Sequence, residues 1–134
     1  MSVQAPPYEL ALSIEPSDID LMGHVNNVTY LRWVQQAATA HWTAVALPAD
    51  QEKLLWVVLR HEIDYKLAAL PGDGIIAVTW VGTATRLRFE RFTEILRVSD
   101  RAVLASARTL WCPLDSKTLK PAAVSPAVRQ LFSS

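Results

Sequence analysis

The sequence predicts an α+β domain in which a curled, antiparallel five-stranded sheet wraps around one long central helix. Three observations point there. One helical stretch of about five turns, residues 28–47, contains neither Gly nor Pro. Five other segments carry strand-like alternation or short apolar runs, and the order is strand, helix, then four strands with short connections. A single helix cannot cover a flat sheet of that size, so the sheet must curl around it.

The elements follow in order. Over residues 8–14, Tyr8, Leu10, Leu12 and Ile14 share one face of a half-buried strand, which Pro16 and Ser17 end. In the helix, Val28, Leu31, Val34, Ala38, Trp42 and Val45 form one apolar stripe, and Trp33, Ala37, Ala40 and Ala44 a second. Arg32, Gln35, Gln36, Thr39 and Thr43 form a narrow polar face. A helix apolar around most of its girth should be surrounded by protein, and Pro48 should stop it. Residues 54–67 read as a long strand that is apolar from Trp56 to Leu59. It then alternates, with Arg60, Glu62, Asp64 and Lys66 on a solvated face and His61, Ile63 and Tyr65 on the other. Pro71-Gly72-Asp73-Gly74 marks a turn. Three strands follow at 75–81, 86–98 and 102–112, with a turn at Gly82–Thr85 and a hairpin connection at Ser99–Arg101. The apolar parity slips between Phe89 and Phe92, which predicts a bulge there. The tail carries Pro121 and Pro126 and ends in a short helix near Val128.

The 134 residues fit one domain, 1–134, large enough for a core without metal or disulfide. Thirteen basic and 13 acidic residues give a formal net charge of zero, so no nucleic-acid or membrane-surface footprint is expected. Cys112 is the only cysteine, which excludes an internal disulfide. The start MSVQAPPYEL lacks the basic and apolar regions of an export signal, and no apolar run is long enough to span a bilayer. A cytoplasmic protein is expected. Exposed sheet edges call for a partner subunit, hence a homodimer or a homotetramer.

Chemistry concentrates in residues 18–30, DIDLMGHVNNVTY, just before the helix. Each residue has a structural use: Asp18 and Asp20 in turns, Gly23 for backbone freedom, Asn26 or Asn27 as the helix N-cap. A cap needs one such residue and five polar ones are present. The helix start gathers unpaired N–H groups and the positive end of the dipole, which stabilise an oxyanion or a polarised carbonyl. A carboxylate upstream can act as nucleophile or as base for water, and His24 can orient it or help hold the substrate. That is the minimum equipment for acyl transfer to water.

DIDLMGHVNNVTYLRW resembles the signature of the hotdog-fold acyl-CoA thioesterases of the 4-hydroxybenzoyl-CoA thioesterase type: an Asp, three residues, His-Val-Asn-Asn, and a Tyr three further on. Asp20, His24, Val25, Asn26, Asn27 and Tyr30 occupy those places. The likeness continues in RHEIDYKLAALPGDGIIAVTWV and in WCPLDSKTLKPAAVSP, so it covers nearly the whole chain. It implies hydrolysis of an acyl-CoA or aryl-CoA thioester, or of an acyl-carrier-protein thioester. Asp20 would be nucleophile or general base and the Asn27 N–H would polarise the carbonyl. His24 matches the histidine of the plant acyl-carrier-protein thioesterases, and Asn26 and Tyr30 would contact substrate. Coenzyme A enters only as part of the substrate, and no other cofactor is implied. Two positions depart from the family. Gln35-Gln36-Ala37 replaces a frequent Glu-Glu-Ala, and Met22 stands where the plant enzymes have a catalytic Asn, which loads the chemistry onto Asp20. A hotdog hydratase or dehydratase, usually marked by Asn-Pro where Met22-Gly23 stands, and a non-catalytic acyl-CoA or carrier-protein binder are the alternatives.

Elsewhere the sequence is quieter. His24, His41 and His61 lack metal-ligand spacing and Cys112 lacks a partner, so no metal is expected. No G-x-S-x-G, phosphate-binding loop or dinucleotide fingerprint occurs. His61 reads as a core or interface histidine. Arg86, Arg88 and Arg91 read as solvated surface, with Arg86 the candidate for the phosphates of CoA, a contact that in this family often comes from the neighbouring subunit. The five Trp residues are assigned to packing.

Overall fold

The computed structural model describes residues 6–132. The N-terminal reading for residues 1–5 therefore lies outside the described range. Strand β1 (Tyr8–Leu12) leads through a 3-10 turn at Pro16–Asp18 into helix α1 (Asn27–Val45). Helix α2 (Pro48–Lys53), strands β2 (Leu54–Tyr65), β3 (Ile75–Ala84), β4 (Phe89–Arg97) and β5 (Val103–Asp115), and helix α3 (Pro126–Phe132) follow. The strands form one antiparallel sheet in the order β1-β3-β4-β5-β2, curled against α1.

Helix α1 forms because Asn26 caps it, its side chain accepting from the Val28 N–H at 2.8 Å, and because a 19-residue run free of Gly and Pro follows. It ends at Ala46. Pro48 does not merely stop it; Pro48 opens α2, where a missing N–H and a fixed φ suit the first helical position. The face of Tyr30, Trp33, Val34, Ala37, Ala38 and His41 is buried against the sheet. Trp33 and Ala37 belong to a cluster with Val25, Ala69, Ile75, Ile95 and Leu104 around the N-terminal half of the helix. Replacing Trp33 by Ala would cost about 3–5 kcal/mol. A second cluster, Ala46, Val81, Phe89, Val124, Val128 and Phe132, surrounds the C-terminal end. Within one chain the helix is covered on one side only, since Val28, Arg32, Gln35, Gln36, Thr39 and Thr43 remain exposed. The narrow polar face read from the sequence is thus the open one, and Val28 of the apolar stripe is exposed beside it.

Two strand details differ from the sequence reading. The register shifts at Leu59 of β2, at Leu104 of β5 opposite Ile95 and Leu96, and at Gly82 and Thr83 of β3 opposite residues 89–91. The irregularity expected beside Phe89 is therefore present, but its extra residue stands in β3. The Leu59 bulge keeps Val58 and His61 on the inner face although they are three residues apart. Strand β3 runs through Gly82–Ala84, and the turn falls at Thr85, whose N–H donates to the Arg88 carbonyl at 2.8 Å. Alternation within β4 itself is unbroken from Phe89 to Ile95, so its inner face reads Phe89, Arg91, Thr93, Ile95. Arg91 is thus inside, 6% exposed, and not on a solvated surface. Its Nη1 donates to His41 Nδ1 at 2.9 Å and to Thr79 Oγ1 at 3.1 Å. His61 stands inside as expected, its Nδ1 2.9 Å from Thr109 Oγ1. Among the described residues no helix is long and apolar enough to cross a membrane.

Candidate active site

The loop before α1 is built around Asp18, whose side chain is 2% exposed. Its carboxylate accepts from the Glu15 N–H at 2.8 Å, the Thr29 hydroxyl at 3.3 Å and Arg32 Nη2 at 2.9 Å, and its carbonyl accepts from the Asn26 N–H at 2.8 Å. Burial alone would raise this carboxyl. The hydrogen bonds from Glu15, Arg32 and Thr29 and the Arg32 charge outweigh it and hold the group below its usual range. Asp18 therefore clamps the loop to the first turns of the helix.

Asp20 lies on the exposed side of the same loop. Its Oδ1 accepts from the Met22 N–H at 2.9 Å and the His24 N–H at 3.1 Å, while Oδ2 has no partner among the described residues. Its own N–H donates to the His24 carbonyl at 2.8 Å. The tight reversal needs Gly23, whose φ of +78° is a region that disfavours side chains. The Val25 N–H donates to the Ala69 carbonyl at 3.0 Å, which ties the loop to the connection between β2 and β3.

At the helix start the Val28 and Thr29 amides are used by the Asn26 side chain and carbonyl. The Asn27 N–H has no acceptor among the described residues. Asp20, His24, Asn26, Asn27 and Tyr30 all line one cleft of about 500 Å³, with Met22, Tyr65, Lys66 and Leu67. The cleft thus gathers five of the six residues that the sequence singled out. Tyr30 forms its floor: it is buried, its hydroxyl accepts from the Ala69 N–H at 2.9 Å, and its ring meets Tyr65 edge-on at 5.5 Å. Burial pushes the Tyr30 phenol up, so it stays protonated at neutral pH.

Arg86 is not brought to this cleft within one chain. Its carbonyl accepts from the Val124 N–H at 3.3 Å, beside the cluster at the other end of α1. The sequence reading missed Tyr65 and Lys66 as cleft residues. Tyr65 donates its hydroxyl to the Asn27 carbonyl at 3.3 Å. Both sit some forty residues downstream of the loop, and only the curl of the sheet returns them to it. Among the described residues no group of three or more His, Cys, Asp or Glu converges for a metal.

The sequence profile of the thioesterase-like superfamily matches residues 14–132, which spans the loop, the helix and all of the sheet after β1. The chain belongs to that superfamily. Solved structures share the hotdog fold of this thioesterase-like chain at low identity. A 1,4-dihydroxy-2-naphthoyl-CoA thioesterase from Synechocystis aligns at TM-score 0.80 and 18% identity, covering 93% of this chain and 94% of its own. A thioesterase from Thermus thermophilus, complexed with coenzyme A and Zn, aligns at TM-score 0.78 and 19% identity, covering 92% and 90%. The PA5185 protein from Pseudomonas aeruginosa aligns at TM-score 0.84 and 18% identity, covering 97% and 94%. No curated protein matches this thioesterase-like sequence.

Proposed function

We propose that this chain hydrolyses an acyl-CoA or aryl-CoA thioester to the free acid and CoA, and that it works as a homodimer or homotetramer. The observation that carries the reading is the meeting, in one cleft, of an unused helix-start N–H at Asn27 with the half-free carboxylate of Asp20. The N–H and the positive end of α1 suit a thioester oxygen, which gains charge as the carbonyl carbon becomes tetrahedral. Two amides fix Oδ1 of Asp20, and Oδ2 is left for chemistry. As a base, Oδ2 takes a proton from water while the water oxygen adds to the carbonyl carbon. The intermediate then collapses, the C–S bond breaks, and the thiolate recovers the proton from Asp20. As a nucleophile, Oδ2 would form an acyl-enzyme anhydride that water opens. His24 would orient water or the thioester. The side-chain NH2 of Asn26, whose oxygen is held by the helix cap, would meet the substrate, and Tyr30 would shape the floor.

The assembly reading rests on β2, a 12-residue strand at the sheet edge with Leu55, Val57 and Leu59 exposed. Two-fold antiparallel pairing of this edge with a second copy would cover it. It would also set the Leu54 end of one chain beside the Tyr65 end of the other, bringing Arg86 of one copy toward the Asp20 cleft of its partner. Lys66 and Arg86 would then be the cations for the phosphates of CoA.

The test is thiol release from acyl-CoAs of increasing length and from benzoyl-CoA, for wild type and Asp20→Asn. Full turnover by the variant would remove Asp20 from the mechanism. Tight binding by calorimetry with no turnover of any thioester would instead favour a non-catalytic binder.

A further inference from the structure

A second cavity, of about 330 Å³, opens at the C-terminal end of α1, between that helix, α3 and the inner faces of β2, β4 and β5. Ala38 and Thr39 on its wall stand eleven and twelve residues along the helix from Asn27, roughly 17 Å, so the cavity is separate from the Asp20 cleft of the same chain. The rings of Trp42, Trp56, Phe89, Trp111 and Phe132 form its walls. Trp56 meets Trp42 edge-on at 5.3 Å and Phe89 at 4.9 Å, and Phe132 stacks on Trp42 at 5.6 Å. The box is apolar and largely pre-formed, and its volume suits a one- or two-ring ligand.

Packing does not explain its charged group. The indole Nε1 of Trp56 and of Trp111 have no hydrogen-bond partner among the described residues, but both are without accessible surface and do not face the open space. Arg91 also lines the cavity. Its Nη1 is used by His41 and Thr79, but Nε and Nη2 have no partner among the described residues. Burial pushes the guanidinium down to about 10, which leaves it a cation at neutral pH. Among the described residues no carboxylate lies within ion-pair distance of it. Burial and the adjacent Arg91 push His41 down to about 4, so the ring stays neutral and accepts from the guanidinium without adding a second cation. A buried cation without a counter-ion is rare because its lost hydration is not made good. This cavity sets such a cation, unpaired among the described residues, beside an apolar space.

We propose that the cavity is a binding site for a small hydrophobic carboxylate, the ring or short acyl body lying among the Trp and Phe side chains and the carboxylate accepting from Arg91. The site goes beyond the hydrolase reading and does not depend on it. The occupant could be the carboxylate-bearing acyl end of a thioester entering from a partner's cleft, or a free acid.

Calorimetric titration of the full chain with 2-naphthoate and with the neutral 2-naphthamide tests it. The acid should bind at least about tenfold more tightly than the amide, as charge-assisted hydrogen bonds require. Arg91→Met should remove that preference while leaving amide binding within about threefold, and Arg91→Lys should keep a reduced preference. Trp56→Ala, which removes one aromatic wall, should weaken acid and amide alike by several-fold. Circular dichroism establishes that each variant is folded. Equal affinity for acid and amide, or binding of neither at millimolar concentration, overturns the proposal. Adding the acid to a thioester assay separates the two sources: a raised KM at constant kcat marks the acyl chamber, and any other response with binding intact marks a free acid. Turnover without carboxylate binding sinks this inference and spares the hydrolase, whereas binding without turnover does the reverse.

Discussion

Arg32 Nη2 stands 2.9 Å from Oδ1 of Asp18, so the second turn of α1 grips the loop that carries Asp20. The pair joins residues fourteen apart in sequence, and a third contact comes from Thr29. The orientation of the candidate catalytic carboxylate therefore depends on a different aspartate, two residues earlier, that never touches the cleft.

Removing that grip should cost both stability and rate. Asp18→Ala leaves the Glu15 N–H and the Thr29 hydroxyl without their acceptor, and it should destabilise the fold by about 2–4 kcal/mol. Urea denaturation measures this. Because the folded carboxyl lies below its unfolded value of 3.8, its contribution is complete above that pH and is lost as the pH falls below it. The Asp18→Ala difference should therefore shrink in strong acid. An Asp18→Ala protein as stable as wild type at pH 7 would contradict the clamp.

Asp20→Asn should separate chemistry from folding. The amide oxygen can still accept from Met22 and His24, so the midpoint of thermal unfolding should move by no more than about 2 °C for an exposed site. Thioester turnover should fall by roughly 10²–10⁴-fold, as for loss of a general base. A large drop in stability with unchanged kcat would reverse these roles.

His41 predicts an acid weakness at mild pH. Its ring is 3% exposed and falls from 6.5 to about 4 on folding, because burial and Arg91 disfavour the imidazolium. Its folded pKa is depressed, so the neutral ring's contribution is complete above 6.5 and is lost as the pH falls toward 4. At about 1.4 kcal/mol per pH unit this amounts to roughly 3 kcal/mol. Unfolding free energies measured from pH 7 to pH 4 should fall steeply for wild type and less for His41→Asn, which cannot titrate. Parallel curves for the two proteins would rule His41 out as the cause.

Charging the free sheet edge should break the assembly. Leu55 is 45% exposed and Leu59 is 50% exposed on β2, beyond the last paired strand. Leu55→Lys with Leu59→Lys should leave the monomer folded and shift wild-type dimers or tetramers to monomers in sedimentation velocity. If the partner contributes Arg86, turnover should fall with the dimer. A wild-type monomer at micromolar concentration would dispose of the assembly.

Most of the fold was legible because strand and helix periods are local properties of the backbone. Tyr8, Leu10 and Leu12 alternate as a strand must, and the run from Asn27 to Val45 has neither Gly nor Pro to break it. The shared cleft of Asp20, His24, Asn26, Asn27 and Tyr30 was legible for a similar reason, since eleven residues of loop and first turn cannot spread far. Pro48 misled because the same ring that ends one helix starts another. Arg91 misled because its charge suggested solvent, whereas its period-two partners Phe89, Thr93 and Ile95 placed it inside.

By itself the sequence determined the five strands, the long helix and their order, a cap at Asn26 or Asn27 and the loop that carries Asp20, all of which follow from backbone geometry over a few residues. The tertiary structure alone decided that Asp18 meets Arg32, that Tyr65 and Lys66 return to the loop, and that Arg91 stands inside beside Trp42, Trp56 and Trp111. Those neighbours are set by how far the sheet curls and where its register shifts fall, at Leu59, Gly82 and Thr83, and Leu104, and that curvature is a property of all five strands acting against one helix.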